Sequence, residues 1–193
     1  MKLLLLRCPQ CNQALAPGQD DVAIQCSNCR AAVGIYENGL RLLPAQYAAP
    51  QRPQPSAWLP FWVYRSQVHI RSRKTQGGRS AEKEALEFWG QPRYVFIPAW
   101  ACELPYARDL IQELLEQQPR LSALAPPEGA TFLPVAVAPE DGRKLLELVI
   151  VSIEARRNDW MESLSYDLRM DSEALWLLPA EPEGETWKLG IRN

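Results

Sequence analysis

The alternation of apolar and polar positions divides the chain into three stretches. Residues 1–43 carry only short apolar runs, Val22-Ala23-Ile24 and Ala32-Val33-Gly34-Ile35-Tyr36, set between polar turns. Glu37-Asn38-Gly39-Leu40 places an Asn-Gly pair between apolar flanks and predicts a hairpin, with residues 40–43 as the returning strand. Residues 44–57 hold Pro44, Pro50, Pro53 and Pro55 among Gln, Ala and Ser. Proline at that density favours a semi-rigid extended spacer and removes backbone donors, so this stretch is expected to link two units and to stay out of a sheet interior. In residues 58–193, Phe61-Trp62-Val63-Tyr64 and Tyr94-Val95-Phe96-Ile97 are aromatic and β-branched and predict strands.

Helical periodicity follows. Leu110, Ile111, Leu114 and Leu115 repeat with helical spacing inside residues 105–118, and Pro119 ends the run. Residues 141–157 place Leu146, Val149, Ile150 and Ile153 on one helical face, although the run Val149-Ile150-Val151 also fits a strand. Residues 80–90 are weakly helical. Residues 164–170, 174–178 and 186–191 predict short strands. With strands at both ends and helices between, residues 58–193 read as an α+β domain with a mainly antiparallel sheet and about two helices, preceded by a small all-β unit at 1–43. An aliphatic-proline step recurs at Leu59-Pro60, Ile97-Pro98, Leu133-Pro134 and Leu178-Pro179. Its irregular spacing fits prolines that end edge strands better than a duplication.

Composition narrows the class. The chain has 193 residues, 47% hydrophobic and 23% charged, close to a soluble globular average, which excludes a disordered chain, a collagen and a long coiled coil. A formal net charge of −2 excludes a polycation. Four leucines at 3–6, followed at once by Arg7 and Cys8, are too short for a secretory apolar core, and no stretch approaches the ~18–20 apolar residues of a membrane span. A cytoplasmic chain is expected, without peripheral membrane contact. In a reducing compartment paired cysteines act as metal ligands rather than disulfides.

The pairs are Cys8-Pro9-Gln10-Cys11 and Cys26-Ser27-Asn28-Cys29, fourteen residues apart. Each Cys-x-x-Cys turn points two sulfurs to one side, and two such turns clasp one tetrahedral ion, which identifies Cys8, Cys11, Cys26 and Cys29 as metal ligands. Asn12 and Arg30 follow the pairs where the turn wants positive φ, a conformation that Asn tolerates and Arg does not favour. Over residues 1–43 the chain resembles the zinc-ribbon family, a rubredoxin-like arrangement of two knuckles and short strands. The resemblance implies one structural zinc ion on the four cysteines. It brings no particular activity, because the family serves many proteins. Iron fits the same ligands and defines an electron-carrier alternative.

Other residues bear on function. From Trp58 to Arg79 the chain carries Arg65, Arg71, Arg73, Lys74 and Arg79 and no acid, with His69 among them and Gly77-Gly78 near the end. Aromatics interleave this window, so it suits a solvated hairpin, an acidic protein partner, or a phosphate backbone with stacked bases. Trp58 and Trp62, beside the proline stretch, are expected as exposed contacts. His69 is the only histidine, which argues against a catalytic triad or a His-bound catalytic metal. No nucleotide-binding glycine motif occurs. Cys102 reads as a small buried hydrophobe, and Glu181, Glu183 and Glu185 as a solvated acidic tip. The expectation is a non-enzymatic interaction module, an adaptor or subunit of a larger protein assembly with protein partners and no small-molecule substrate. The alternatives are a nucleic-acid-binding accessory protein using the small unit and residues 65–79, and a rubredoxin-like electron carrier.

Overall fold

The short apolar runs beside the cysteine pairs fold as three antiparallel strands in the computed structural model, which describes residues 6–76, 80–171 and 173–192. These strands are Ala23–Gln25 (β1), Ala32–Tyr36 (β2) and Gly39–Leu42 (β3), in the order β1-β2-β3. The hairpin forms, with the turn one residue earlier than the Asn-Gly pair: Glu37 and Asn38 make it, and Gly39, at φ 124°, opens β3 opposite Tyr36.

The rest builds one larger mixed sheet flanked by helices. Its elements are Ala45–Ala48 (β4), Ala57–Gln76 (β5), Ser80–Trp89 (α1), Arg93–Pro98 (β6), Leu104–Gln117 (α2), Ala123–Leu124 (β7), Pro139–Ala155 (α3), Trp160–Met170 (β8), Ala174–Glu183 (β9) and Thr186–Leu189 (β10). The sheet order is β6-β5-β9-β4-β7, with β8 also on β5 and β10 also on β9. The α+β class holds. The sheet is mixed rather than purely antiparallel, because β4 runs parallel to β9. Residues 141–157 resolve as helix, and residues 80–89 make a full helix, so three helices flank the sheet among the described residues.

The strand β5 spans twenty residues and is paired almost throughout. Ala57 to Val63 pair with Ala180 to Ala174 of β9, and Ser66 to Gln76 pair with Met170 to Trp160 of β8. So β8 and β9 run end to end along β5 as one interrupted partner. Alternation sends Trp58, Trp62, Tyr64 and Val68 into one core with Val95, Ile97, Leu146 and Ile150, and sends Leu59, Phe61 and Val63 into a second core with Phe96, Leu114 and Leu178. The helix α3 sits close on the first face. A Cβ on Gly142 would lie 2.7 Å from the Tyr64 hydroxyl, and that hydroxyl donates to the Pro139 carbonyl at 2.6 Å. The helix α2 lies against the β6 edge, and Gln118 at its end acts as a substitute strand partner. Its side-chain amide accepts from Tyr94 N–H at 2.9 Å and donates to Tyr94 C=O at 2.8 Å.

Three expectations need correction here. The stretch 44–57 does not stay out of the sheet, because β4 is an interior strand between β9 and β7. The four residues of β4 lie between Pro44 and Pro50 and keep their N–H groups. The prolines at 50, 53 and 55 fall in the arch to β5, which leaves room for β9 to insert between β4 and β5. The aliphatic-proline steps at 59–60 and 178–179 lie inside strands, not at their ends. Ala99 N–H donates to Pro60 C=O and Gly190 N–H to Pro179 C=O, each just past the last residue of the neighbouring strand. The missing proline N–H therefore faces a place where no ladder bond is required.

The third correction concerns Arg73, expected among the partner-facing cations. A register irregularity between Ile70 and Ser72 inserts one residue and turns Arg73 inward. Its side chain is 1% exposed and ion-pairs with Glu154 at 2.9 Å and with Asp159. Glu154 also accepts from Trp89 Nε1 at 2.8 Å and Arg157 Nε at 2.9 Å. The cluster ties β5 to α1 and α3 with every polar group satisfied. Arg73→Met leaves two buried carboxylates short of a partner and is expected to destabilise the fold by about 3–5 kcal/mol in urea unfolding. Hydrogen bonds from Arg73 hold the Asp159 carboxyl below its usual range. A depressed folded-state pKa stabilises above the unfolded value and is lost in acid, so the gap between wild type and variant is expected to narrow below about pH 4.

Candidate metal centre

Each cysteine pair is shaped by the same turn. Cys8 N–H donates to Gln13 C=O at 2.8 Å and Asn12 N–H to Cys8 C=O at 2.9 Å. In the second turn Cys26 N–H donates to Ala31 C=O and Arg30 N–H to Cys26 C=O, both at 2.9 Å. Closing each turn requires the left-handed conformation at its fifth residue, and Asn12 and Arg30 adopt φ 61° and 64°. The strain foreseen at Arg30 is therefore present, since an L-residue in that conformation costs roughly 1–2 kcal/mol.

The two turns bring four sulfurs together. Cys8 Sγ lies 3.5 Å from Cys29 Sγ and Cys11 Sγ 3.6 Å from Cys26 Sγ, and all four lie within 4.8 Å of one another. Bonds of about 2.3 Å from a central ion to four tetrahedral sulfurs place those sulfurs roughly 3.8 Å apart. The cluster fits that geometry and is too open for disulfides, whose S–S bond is about 2.05 Å. Cys8 and Cys26 are buried against Val33, with Leu15 and Leu40 packed beside them, while Cys11 and Cys29 reach the surface.

The electrostatics of the sulfurs also favour a cation. Hydrogen bonds from the Asn28 side chain and the Gln13 backbone lower the Cys11 thiol to about 6. Cys29 gains from the Ala31 backbone N–H, but burial and the three adjacent sulfurs outweigh it and push the thiol up to about 12. Four thiolates cannot crowd together without a positive charge between them. The arrangement can hold one metal ion with all four positions filled by protein.

The module carrying this site is fused to the larger sheet rather than tethered to it. Val22 N–H donates to Val135 C=O at 2.7 Å, Val135 N–H to Ala23 C=O at 2.8 Å, and Gln25 Nε2 to Ala130 C=O at 3.0 Å. Ala23 and Ala32 belong to the core that holds Trp62 and Ile150. Beside both turns runs a groove of about 270 Å3, lined by Gln10 and Arg30 from the knuckles, Leu42 and Pro44 beyond them, and Pro126 and Phe132 from the body. Leu42 is 49% exposed there. Sequence reasoning did not single out this groove, because Pro126 and Phe132 lie far from the cysteines along the chain.

The remaining candidate residues separate. Trp58 and Trp62, expected as exposed contacts, are 4% and 3% exposed. Trp58 packs edge-on against Tyr47 at 4.9 Å, and Trp62 Nε1 donates to Val137 C=O at 2.7 Å. They are buried because β5 is covered on both faces over residues 58–64, with Trp58 and Trp62 in the first core. Arg65, Lys74 and His69 are exposed on the opposite face, and Arg71 is exposed in a two-pronged pair with Asp167 at 2.5 and 2.6 Å. Arg79 and Gly77-Gly78 lie outside the described residues, as does the N-terminal leucine run up to Leu5. Cys102 is half-buried against the second core, and burial pushes its thiol up to about 11. Glu181 accepts from Ser56 near the β9–β10 tip. Among the described residues, no helix is long and apolar enough to cross a membrane.

Comparison with protein-family models, with curated proteins and with solved structures returned no match.

Two outcomes follow from the geometry. The purified protein is expected to bind one metal ion per chain by elemental analysis, and Cys26→Ser, at the most buried ligand, to lose it and lower the unfolding midpoint of the whole chain. Arg30→Gly is expected to relieve the left-handed strain and raise stability by about 1 kcal/mol, read by urea unfolding of the metal-loaded protein.

Proposed function

We propose that the chain is a non-enzymatic zinc-ribbon protein that serves as an adaptor or subunit of a larger protein assembly. The observation that carries this reading is the groove that joins both knuckles to the body. A four-sulfur site closed by protein leaves no open position for substrate or water, so its ion has a structural role. What it structures is a rigid, partly apolar groove whose walls come from the metal turns and from the 126–132 segment. Zinc suits a closed four-thiolate site with a structural role. The groove suits an apolar segment of a protein partner, with Leu42 as the exposed anchor and Arg30 and Gln10 as polar rim.

The fused module changes how such a protein engages. The strand β4 locks residues 45–48 into the sheet, so the groove is offered in one fixed orientation, and no ordering cost falls on binding.

Elemental analysis is expected to find zinc in colourless protein. A coloured protein containing iron would replace this reading with electron transfer. Affinity capture of the tagged chain from its native extract, with nuclease present, is expected to recover stoichiometric protein partners that Leu42→Glu and Pro126→Glu both lose. Recovery of no stoichiometric partner that survives nuclease, or only of surviving partners that both variants retain, would overturn the assignment of the groove.

A further inference from the structure

The sheet has a second exposed surface, on the face opposite the metal module. Beyond the second core, the two-stranded arm of β5 and β8 presents the side chains that alternate with the buried set. On β5 these are Arg65, Gln67, His69 and, alone past the bulge, Lys74, and on β8 they are Asp167 and Arg169. Gln67, His69, Asp167 and Arg169 line one shallow depression, which shows that they share a face. The helices α1 and α3 pack into the core on the other side. Arg65, Lys74 and Arg169 form no ion pair among the described residues, whereas Arg71 is paired with Asp167. The acids of the arm that reach solvent are Asp167, paired with Arg71, Glu162, bonded to Gln76, and Asp171, whose N–H donates to Arg65 C=O; the cations Arg65, Arg71, Lys74 and Arg169 still outnumber them.

The strip leads directly onto aromatic surface. Arg65 pairs across the sheet with Tyr94, which is 53% exposed. Tyr94, Phe96, Trp176 and Val63 line a cavity of about 440 Å3, with Arg120 at its rim. Trp176 is half-buried there and keeps part of its ring accessible. Sheet residues Val63, Phe96 and Trp176 line the cavity, Tyr94 is its exposed ring, and Arg65 and Arg120 are its neighbouring cations.

We propose that this face binds single-stranded nucleic acid, with the phosphate backbone running along Arg65, Arg169 and Lys74 and a base stacked against Tyr94 and Trp176 in the adjoining cavity. The chemistry is complementary on both counts. Exposed guanidinium and ammonium groups release condensed counterions when they meet phosphates, and an aromatic platform accepts any base through its π-face. Duplex is disfavoured because its bases are already stacked and cannot enter the cavity. An acidic protein surface satisfies the cations but leaves the aromatic cavity unused. This surface is distinct from the groove beside the metal turns, so the two assignments stand or fall separately.

The test uses the full metal-loaded chain and a fluorescently labelled 20-mer oligouridine, titrated at 50 and 200 mM salt. Binding is expected to weaken with salt, with a logarithmic slope near −2 for about three phosphate contacts at −0.7 each. Arg65→Glu/Arg169→Glu is expected to abolish binding, and Lys74→Ala to reduce the slope by about 0.7. Tyr94→Ala is expected to weaken affinity roughly ten-fold with the slope unchanged, because stacking is lost and no charge is altered. All four side chains are exposed, so each variant is checked for an unaltered unfolding midpoint. Absence of binding at 50 mM salt overturns the proposal. So does equal affinity for duplex DNA, or equal affinity for polyglutamate with no effect of Tyr94→Ala, the latter pointing to an acidic protein partner.

Discussion

The continuous pairing of one long strand governs the structure. The strand β5 has a different partner at each stage: β9 for residues 57–63, β6 for 61–66 and β8 for 66–76. Because side chains alternate, that single strand decides which residues enter which of the two cores and, past Tyr64, which are core and which are surface. A slip of one residue would turn Arg65, Gln67 and His69 into the first core and Val68 out to the open face. The fold prevents it with fixed contacts on the buried side, the Tyr64 hydroxyl on Pro139 and the Trp62 indole on Val137. Where strict alternation would have turned Ser72 inward, the irregularity before it turns Arg73 inward instead. Its guanidinium meets Glu154 and Asp159 and anchors the far end of the arm to α3.

The metal turns connect to this strand through the same core. Ala23 and Ala32 are small residues on β1 and β2, and their size lets the module lie close against the body. The Val22 and Ala23 backbone completes the contact by bonding Val135, in the loop that also bonds Ala99 beyond β6. Folding energy supplied by a bound ion is therefore not confined to residues 1–43. An ion on the four cysteines would order β1 and β2, these bond the 130–137 segment, and that segment covers Trp58 and Trp62.

Much of this was legible in the sequence where the causes are local. The cysteine spacing fixed the four-sulfur cluster because each pair is shaped by its own turn, and even the positive φ at Asn12 and Arg30 could be read. The helix α2 was legible from its apolar rows and from Pro119. The strand content of residues 45–48 was not, because proline density masked four residues that keep their donors. The continuation of β5 past Tyr64 was legible only in part: Val68-His69-Ile70 reads as strand, but the polar outer face makes the rest look like a solvated hairpin or loop until Ser66 and Val68 are given partners. The burial of Arg73 was illegible in principle: its two carboxylate partners lie 81 and 86 residues away. Trp58 and Trp62 were misjudged because the 132–137 segment that covers them lies about 75 residues further along the chain.

The cations of β5 show how the same residue type serves opposite ends within ten positions. Arg73 is desolvated, and its charge is worth having only because two carboxylates and a full set of hydrogen bonds compensate it. Arg65 and Lys74 remain hydrated and give the fold little, since exposed charges contribute only tenths of a kcal/mol to stability. Stability therefore does not account for the cations on the open face. A purely solubilising role would be met by either sign of charge, and it would not require Tyr94 and Trp176 to open beside them. The metal module, meanwhile, packs on the opposite face of the sheet. A protein segment in the groove and a nucleic-acid strand on the arm would thus meet different sides of one rigid body. Neither would have to displace the other.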